Sequence, residues 1–255
     1  MDLWQTYSFN GFSKSLSPSD NENTVDEPWK LQHYYDVGEG ALEIIVSSLI
    51  AAGRKAPRRI LDFPSGSGRV TRHLRALFPE AEIGACDLYD HHINFCAEQF
   101  TATPIRSSDK LDDLSVGEWD VIFCGSLLSH LPAHLFWSAI RFMSRSLTDE
   151  GIAIVTLEGR HAVHIQDHKW KFIEDDLFDI ARRDYNASGF GFVGYSEGFM
   201  GNFRRNSSYG IALTSPGWMM DGLLKMNEIR ILSFTERAWD DHQDVLVFGR
   251  PGVNA

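Results

Sequence analysis

Apolar and polar positions change their period several times along the chain. Between Leu31 and Ala52 apolar residues recur at helical spacing, and Gly53 and Pro57 follow, so we predict a helix that ends there. Beyond it, short apolar runs alternate with segments that have helical spacing. The apolar runs predict five buried strands, which are in chain order RRILDF, EIGACDL, ATPIRS, WDVIFCGS and GIAIVTLE.

Strands that alternate with helices in this way indicate right-handed crossovers and a parallel sheet. Two further strands, EIRILSF and QDVLVFGR, are joined by a short link over residues 235–242, which only an antiparallel pair allows easily. We therefore predict an α/β fold: a doubly wound, mostly parallel seven-stranded sheet whose last strand is antiparallel.

The strand–helix alternation is absent from two segments. Residues 1–30 are polar and turn-rich, which predicts a flexible arm or lid before a single domain over 31–255. Residues 158–208 carry an acidic helix-like stretch and then a glycine- and aromatic-rich stretch, which predict an inserted helix and hairpin. We expect this insertion to cover a substrate through aromatic side chains, namely Phe190, Phe192, Tyr195 and Phe199.

The formal net charge is −11, which disfavours binding to nucleic-acid phosphates. The three cysteines form no CxxC pair and suit a reducing compartment. No basic stretch followed by an apolar run marks a signal peptide, and the longest apolar runs are too short to span a bilayer. We expect a cytoplasmic protein without a membrane or nucleic-acid partner.

The stretch ILDFPSGSG, residues 60–68, follows the first predicted strand and precedes a helix. Glycines at such a turn let a ligand approach the backbone, close to the free N–H groups of a helix N-terminus. Asp62 at the strand end would repel a pyrophosphate and attract a cation. Asp87 ends the second strand 25 residues later, near the spacing expected for a carboxylate that binds ribose hydroxyls.

Taken in order, LDFPSGSG, ACDL, SSDKL and WDVIFCGSLLSHLP resemble the motifs of the class I S-adenosylmethionine-dependent methyltransferase family. The resemblance covers residues 35–157 and resumes at 211–249, where a reversed last strand is typical of the family. It implies S-adenosylmethionine as cofactor and methyl transfer to the oxygen or nitrogen of a small or medium organic acceptor.

The resemblance also implies roles for individual residues. Asp62 would lie near the amino-acid part of the cofactor, Asp87 would accept from the ribose hydroxyls, and Asp109 would accept from the adenine amino group. Pro64 departs from the family, since it replaces a motif glycine; the turn still forms if this position needs a negative φ and no N–H. The implied cofactor site consists of Asp62, Pro64, Ser65, Gly66, Gly68, Asp87, Leu88, Asp109, Lys110, Gly125 and Ser126.

A sulfonium methyl group needs an aligned nucleophile and, for some acceptors, a base. His130 after the fourth strand and Glu158 at the end of the fifth are the candidate catalytic residues. His161, His164 and His168 share a helix face, but such histidines are more often surface residues, so we expect no metal. Two alternatives stay open: a nicotinamide-dependent oxidoreductase and a non-catalytic cofactor-binding module of the same fold.

Overall fold

The structure, a computed structural model, describes residues 3–20, 27–195 and 208–251. The helices in this part of the chain are α1 (Leu3–Asn10), α2 (Pro28–Ala51), α3 (Thr71–Leu77), α4 (Asp90–Phe100), α5 (Ala133–Arg145), α6 (Arg160–His168), α7 (Asp175–Ser188) and α8 (Pro216–Leu223). The strands are β1 (Arg59–Asp62), β2 (Glu82–Asp87), β3 (Thr103–Arg106), β4 (Trp119–Cys124), β5 (Leu147–Glu158), β6 (Phe190–Gly194), β7 (Gly210–Thr214), β8 (Arg230–Trp239) and β9 (Gln243–Gly249). None of these helices is long and apolar enough to cross a membrane.

The main sheet has the order β3-β2-β1-β4-β5-β9-β8. Strands β1 to β5 are parallel to one another, and β9 runs antiparallel between β5 and β8. The predicted mostly parallel α/β sheet with a reversed last strand is therefore confirmed. This order places the carboxyl ends of β1, β2, β4 and β5 side by side at one edge, where open parallel sheets bind ligands.

The predicted number of seven strands is wrong, because the described residues form nine. Strands β6 and β7 make an antiparallel hairpin that joins β5 through a single parallel pair, Glu158 with Leu213. The insertion also holds two helices, α6 and α7, where the sequence predicts one. Strand β7 has only five residues and pairs with a strand far back in the chain, so no local pattern marks it.

The two faces of the sheet have separate cores. Helices α1 to α4 cover one face with a core that includes Leu42, Ile45 and Leu74. Helices α5 and α8 cover the other face around Phe136, Ile140 and Leu246. A third, smaller cluster fixes α6 and α7 on the β6–β7 hairpin.

The segment predicted as an arm contains a helix that packs on α3. The Tyr7 hydroxyl forms a buried 2.7 Å hydrogen bond with His73 Nδ1, and Arg72 donates to the carbonyls of Ser13 and Ser15. Helix α2 begins at Pro28, three residues before the predicted start. Helix α1 is short and only weakly amphipathic, which is why periodicity did not indicate it.

Candidate active site

The turn after β1 uses its backbone donors within the protein. The N–H of Phe63 donates to Phe123 O at 2.9 Å, and that of Ser65 donates to Cys86 O at 3.0 Å. The N–H of Gly68 donates back to Ser65 O at 3.0 Å. Because these donors are occupied, the loop is poorly suited to hold a pyrophosphate, which would need several free N–H groups.

The two loop glycines are required for different reasons. Both have positive φ, +50° at Gly66 and +81° at Gly68, which a side chain disfavours. A Cβ on Gly68 would lie 2.4 Å from a ring carbon of Phe100, so this glycine permits helix α4 to pack closely. A Cβ on Gly66 would meet nothing within 4 Å, so this glycine borders open space at the sheet edge.

Asp62 is almost fully buried, with 1% of its surface exposed. Its Oδ2 accepts a 2.6 Å hydrogen bond from the Thr71 hydroxyl. Burial raises the pKa of this carboxyl to about 7, although the Thr71 hydrogen bonds lower it. A group that is partly protonated at neutral pH repels an anion less than the sequence argument assumes, so the occupied N–H groups are the stronger evidence against a pyrophosphate.

Asp87 joins the end of β2 to the glycine turn. Its Oδ2 accepts from the N–H of Gly66 at 3.0 Å, and its Oδ1 accepts from the N–H of Tyr89 at 3.0 Å. The His92 ring lies 3.2 Å from Oδ1. A carboxylate has about four acceptor positions, so a ligand hydroxyl still finds a free lone pair here. Leu88, the next residue, is 43% exposed and offers an apolar surface beside that carboxylate.

The motif SSDKL, residues 107–111, lies at the same edge of the sheet but is more exposed to solvent. The N–H of Ser107 donates to the carbonyl of Asp87 at 2.9 Å, which fixes the start of the turn after β3. Asp109 and Lys110 follow on that turn, and both are exposed. The turn therefore runs beside Asp87, while the side chains of Asp109 and Lys110 face water.

Ser126 sits in a closed ring of hydrogen bonds just beyond β4. It has a left-handed backbone with φ +54°. Its N–H donates to Thr156 Oγ1 at 2.8 Å, the Thr156 hydroxyl donates to Gln243 Oε1, and Gln243 Nε2 donates to Ser126 Oγ at 2.9 Å. Sequence reasoning missed Thr156 and Gln243, since they belong to strands 30 and 117 residues later.

Gly125 belongs to the implied cofactor site, but packing within the protein already requires a glycine at this position. A Cβ there would lie 2.8 Å from ring atoms of Phe123 and of Trp239. The missing side chain thus gives room to the Trp239 ring, whose Nε1 donates to the carbonyl of Val37 at 3.0 Å. Gly125 allows β8 and α2 to close around the end of β4.

Glu158 ends β5 on the sheet face that holds Thr156 and Gln243. The residue is 4% exposed, and its Oε2 is buried without a hydrogen-bond partner. Its Oε1 lies 3.6 Å from His242 Nε2. Burial raises the pKa of Glu158 well above its usual range, and the Asp244 carboxylate adds to that rise.

His130 belongs to a 3₁₀ turn over Leu128–His130, before α5 begins. Its Nδ1 lies 2.7 Å from the carbonyl of Gly210 and 3.0 Å from the Tyr195 hydroxyl. Because a carbonyl can only accept, Nδ1 carries the proton and Nε2 keeps the lone pair. Burial lowers the pKa of His130, so the ring is neutral at pH 7.

The aromatic residues assigned to a substrate cover face different surroundings. Phe190 stacks on Trp218 with ring centroids 4.4 Å apart, so it packs against α8. Tyr195 contacts His130 instead, and Phe199 lies outside the described residues.

The rings of His161, His164 and His168 follow one another along α6, with centroid distances of 5.4 and 4.6 Å. No metal-ligating group of three or more residues occurs in the described ranges.

Comparison with known proteins shows which domain and fold contain this sheet edge. Residues 61–153 match the family profile described as a methyltransferase domain. No curated protein matches the chain. The structure is similar to an S-adenosylmethionine-dependent methyltransferase from Clostridium acetobutylicum, at 13% identity, 88% coverage of this chain and 98% of that one, and a TM-score of 0.56.

Two further solved structures have the same fold. One is DesVI from Streptomyces venezuelae, at 13% identity, 90% and 99% coverage, and a TM-score of 0.56. The other is magnesium protoporphyrin IX methyltransferase from Synechocystis with bound S-adenosylhomocysteine, at 13% identity, 98% and 93% coverage, and a TM-score of 0.51. Residues 61–153 therefore belong to a methyltransferase domain, and the chain shares its fold with S-adenosylmethionine-dependent methyltransferases.

The residues at the sheet edge have a geometry that S-adenosylmethionine would fit. The space beside Gly66 admits a ligand, Asp87 has acceptor capacity left for hydroxyls, and Leu88 presents an apolar surface suited to a base. S-adenosylmethionine has no pyrophosphate, in agreement with a loop in which the N–H groups of Ser65, Gly66 and Gly68 are occupied.

Proposed function

We propose that the protein methylates an oxygen or a nitrogen atom of a small or medium organic acceptor. One structural relationship carries this proposal. The residues proposed to bind the cofactor, at the ends of β1, β2 and β4, share an edge of the sheet with Glu158, which ends β5 beside the inserted hairpin. An acceptor bound over β5 would therefore meet a cofactor bound over β4.

The cofactor residues have distinct roles in this proposal. Asp87 accepts from the ribose hydroxyls, Leu88 packs on the adenine, and Ser126 borders the methionine part. Asp109 reaches the adenine amino group only if its exposed side chain turns towards the site. When bound, S-adenosylmethionine supplies a methyl group that its sulfonium already activates, so the protein has to bind, orient and exclude water.

His130 is the proposed base for an acceptor that must lose a proton. The atom that would take the proton is Nε2, because Nδ1 is held by the Gly210 carbonyl. The lowered pKa of the ring keeps Nε2 unprotonated at neutral pH, at the cost of basic strength. The Tyr195 hydroxyl next to the ring fixes its orientation.

The test is calorimetry of the purified full chain with S-adenosylmethionine and S-adenosylhomocysteine, followed by mass spectrometry of an acceptor library incubated with the cofactor. We expect binding of both compounds and methylation of at least one library member. NAD⁺ serves as the control ligand and should not bind. If neither sulfur compound binds at about 1 mM, the proposal fails.

A further inference from the structure

Glu158 is bordered by polar groups that already have partners. In the ring formed by Ser126, Thr156 and Gln243, each side chain is hydrogen-bonded to another member. Oε1 of Glu158 faces His242, whereas Oε2 is buried and lacks any partner among the described residues. An unpaired buried carboxyl oxygen costs about 1–3 kcal/mol, or more when charged, so a ligand that donates to it gains that free energy.

The surroundings of Glu158 favour a cation over a neutral donor. The carboxylates of Asp244 and Asp240 act on it, and both raise its pKa. The ring of His242 lies 3.6 Å from Oε1, and that ring contacts Trp170 and Phe172 at centroid distances of 5.9 and 6.2 Å. Trp170 is 48% exposed, so it presents an aromatic surface to solvent next to His242. Aromatic faces next to a carboxylate suit an ammonium group.

We propose that Glu158 binds the amino group of the methyl acceptor through Oε2, so that the acceptor is an amine. This inference rests on the proposed function and makes it more specific. Lying beyond Ser126, Glu158 would hold the nitrogen on the acceptor side of the cofactor site. The ring of Ser126, Thr156 and Gln243 would separate the two ligands.

For an amine acceptor, this carboxyl instead of His130 takes the proton that the ammonium form must lose. An ammonium nitrogen has no lone pair, so one N–H proton passes to Oε2, which leaves a neutral amine and a neutral carboxylic acid. Burial and the neighbouring carboxylates favour that neutral form of Glu158. The neutral amine can then form an N–C bond to the methyl group as the S–C bond breaks, so the positive charge moves from sulfur to nitrogen and S-adenosylhomocysteine is released. The step needs no other reactant.

The test measures binding of matched probes to protein saturated with S-adenosylhomocysteine. The probes are phenethylamine and phenethyl alcohol, and cyclohexylamine and cyclohexanol, each titrated by calorimetry up to about 10 mM. They are compared on the wild type, on Glu158→Gln and on Asp244→Asn. Asp244 is a matched control, since it is buried, has an unpartnered Oδ2 and points to the other face of the sheet.

We expect at least one amine to bind about tenfold or more tightly than its alcohol. Glu158→Gln should remove this preference, whereas Asp244→Asn should only reduce it, because it removes one neighbouring charge and leaves Oε2 in place. Both variants should keep the wild-type affinity for S-adenosylhomocysteine. Thermal unfolding of each variant shows that it is folded. Equal binding of amines and alcohols overturns the inference, as does an amine preference that survives in Glu158→Gln.

A parallel loss of S-adenosylhomocysteine affinity in Glu158→Gln also overturns it, because Glu158 would then hold the amino group of the cofactor. Failure of the wild type to bind S-adenosylhomocysteine contradicts the proposed function instead. The two failures are therefore distinguishable in one set of titrations.

Discussion

The Asp87 carboxylate accepts a hydrogen bond from the backbone N–H of Gly66 at 3.0 Å. This bond ties the end of β2 to the turn after β1, so one side chain both shapes the glycine turn and borders the space beside it. A charged acceptor on a backbone N–H is worth about 1.5–3 kcal/mol. Cofactor affinity and loop order should therefore change together when Asp87 is altered.

Asp87→Ala should weaken S-adenosylhomocysteine binding about 100-fold, because it removes the proposed ribose acceptor and frees the Gly66 N–H. Calorimetry measures the affinity. Asp90→Asn is the control: Asp90 is exposed, pairs with Arg106 near the same edge, and should leave the affinity within about twofold. An unchanged affinity in Asp87→Ala would remove the role assigned to that carboxylate.

Gly66→Ala and Gly68→Ala should separate binding from stability. Gly68→Ala forces a methyl group against Phe100 at a left-handed backbone, which should cost about 2–5 kcal/mol of unfolding free energy. Gly66→Ala meets no neighbour, so it should cost only about 1–2 kcal/mol but weaken S-adenosylhomocysteine binding about tenfold. Urea unfolding measures the stability of each variant, and calorimetry measures its affinity for S-adenosylhomocysteine. Equal losses of stability would contradict the assignment of Gly68 to packing and of Gly66 to the ligand space.

The main sheet was predictable because its central strands, β1, β2, β4, β5 and β9, contain short apolar runs that are buried. The motif residues Asp62, Gly66 and Asp87 were predictable since strand ends of a parallel sheet share an edge. A hairpin was predicted within residues 158–208, but the position of its second strand, β7, was not, because that strand is short and lies beyond this range. Gln243 was missed for a similar reason: its position beside Ser126 follows from the pairing of β5 with β9.

Asp62 should make stability depend on pH. Its pKa rises from 3.8 in the unfolded chain to about 7 in the folded one, so the folded state binds more protons between these values. Its contribution to stability is therefore greatest below about pH 4 and falls as pH rises through 7. Thr71, Asp87 and Arg69 are the groups that act on this carboxyl besides its burial.

Asp62→Asn removes this titration and keeps an acceptor for the Thr71 hydroxyl. The difference in unfolding free energy, variant minus wild type, should be about 1–4 kcal/mol larger at pH 8 than at pH 5. Urea unfolding at both pH values gives the difference, in which the other titrating groups cancel. A stability difference that is the same at both pH values would show that Asp62 keeps an ordinary pKa.

Gln243 should act on the cofactor through Ser126, which makes it a positioning residue. Gln243→Leu removes the donor to Ser126 Oγ and should weaken S-adenosylhomocysteine binding about tenfold. A double-mutant cycle with Ser126→Ala should give a coupling of about 0.5–3 kcal/mol in binding free energy. Purely additive effects on affinity would mean that Gln243 does not act through Ser126.

The contact of Tyr7 with His73 should control the docking of α1. Tyr7→Phe removes the partner of His73 Nδ1, and His73 Nε2 is already buried without one, so the change should cost about 1–3 kcal/mol. We expect faster hydrogen exchange over residues 3–10 and unchanged exchange in β1, with Tyr185→Phe in α7 as the control.

If residues 1–30 close over the cofactor as a lid, S-adenosylhomocysteine should restore part of the protection from hydrogen exchange that Tyr7→Phe loses. Arg72 provides the physical link, since it holds the carbonyls of Ser13 and Ser15 and also donates to Gly68 O in the glycine turn. A ligand that orders this turn therefore stabilises the segment attached to it. Protection over residues 3–20 that does not respond to S-adenosylhomocysteine would instead make α1 a fixed structural element of the α3 face.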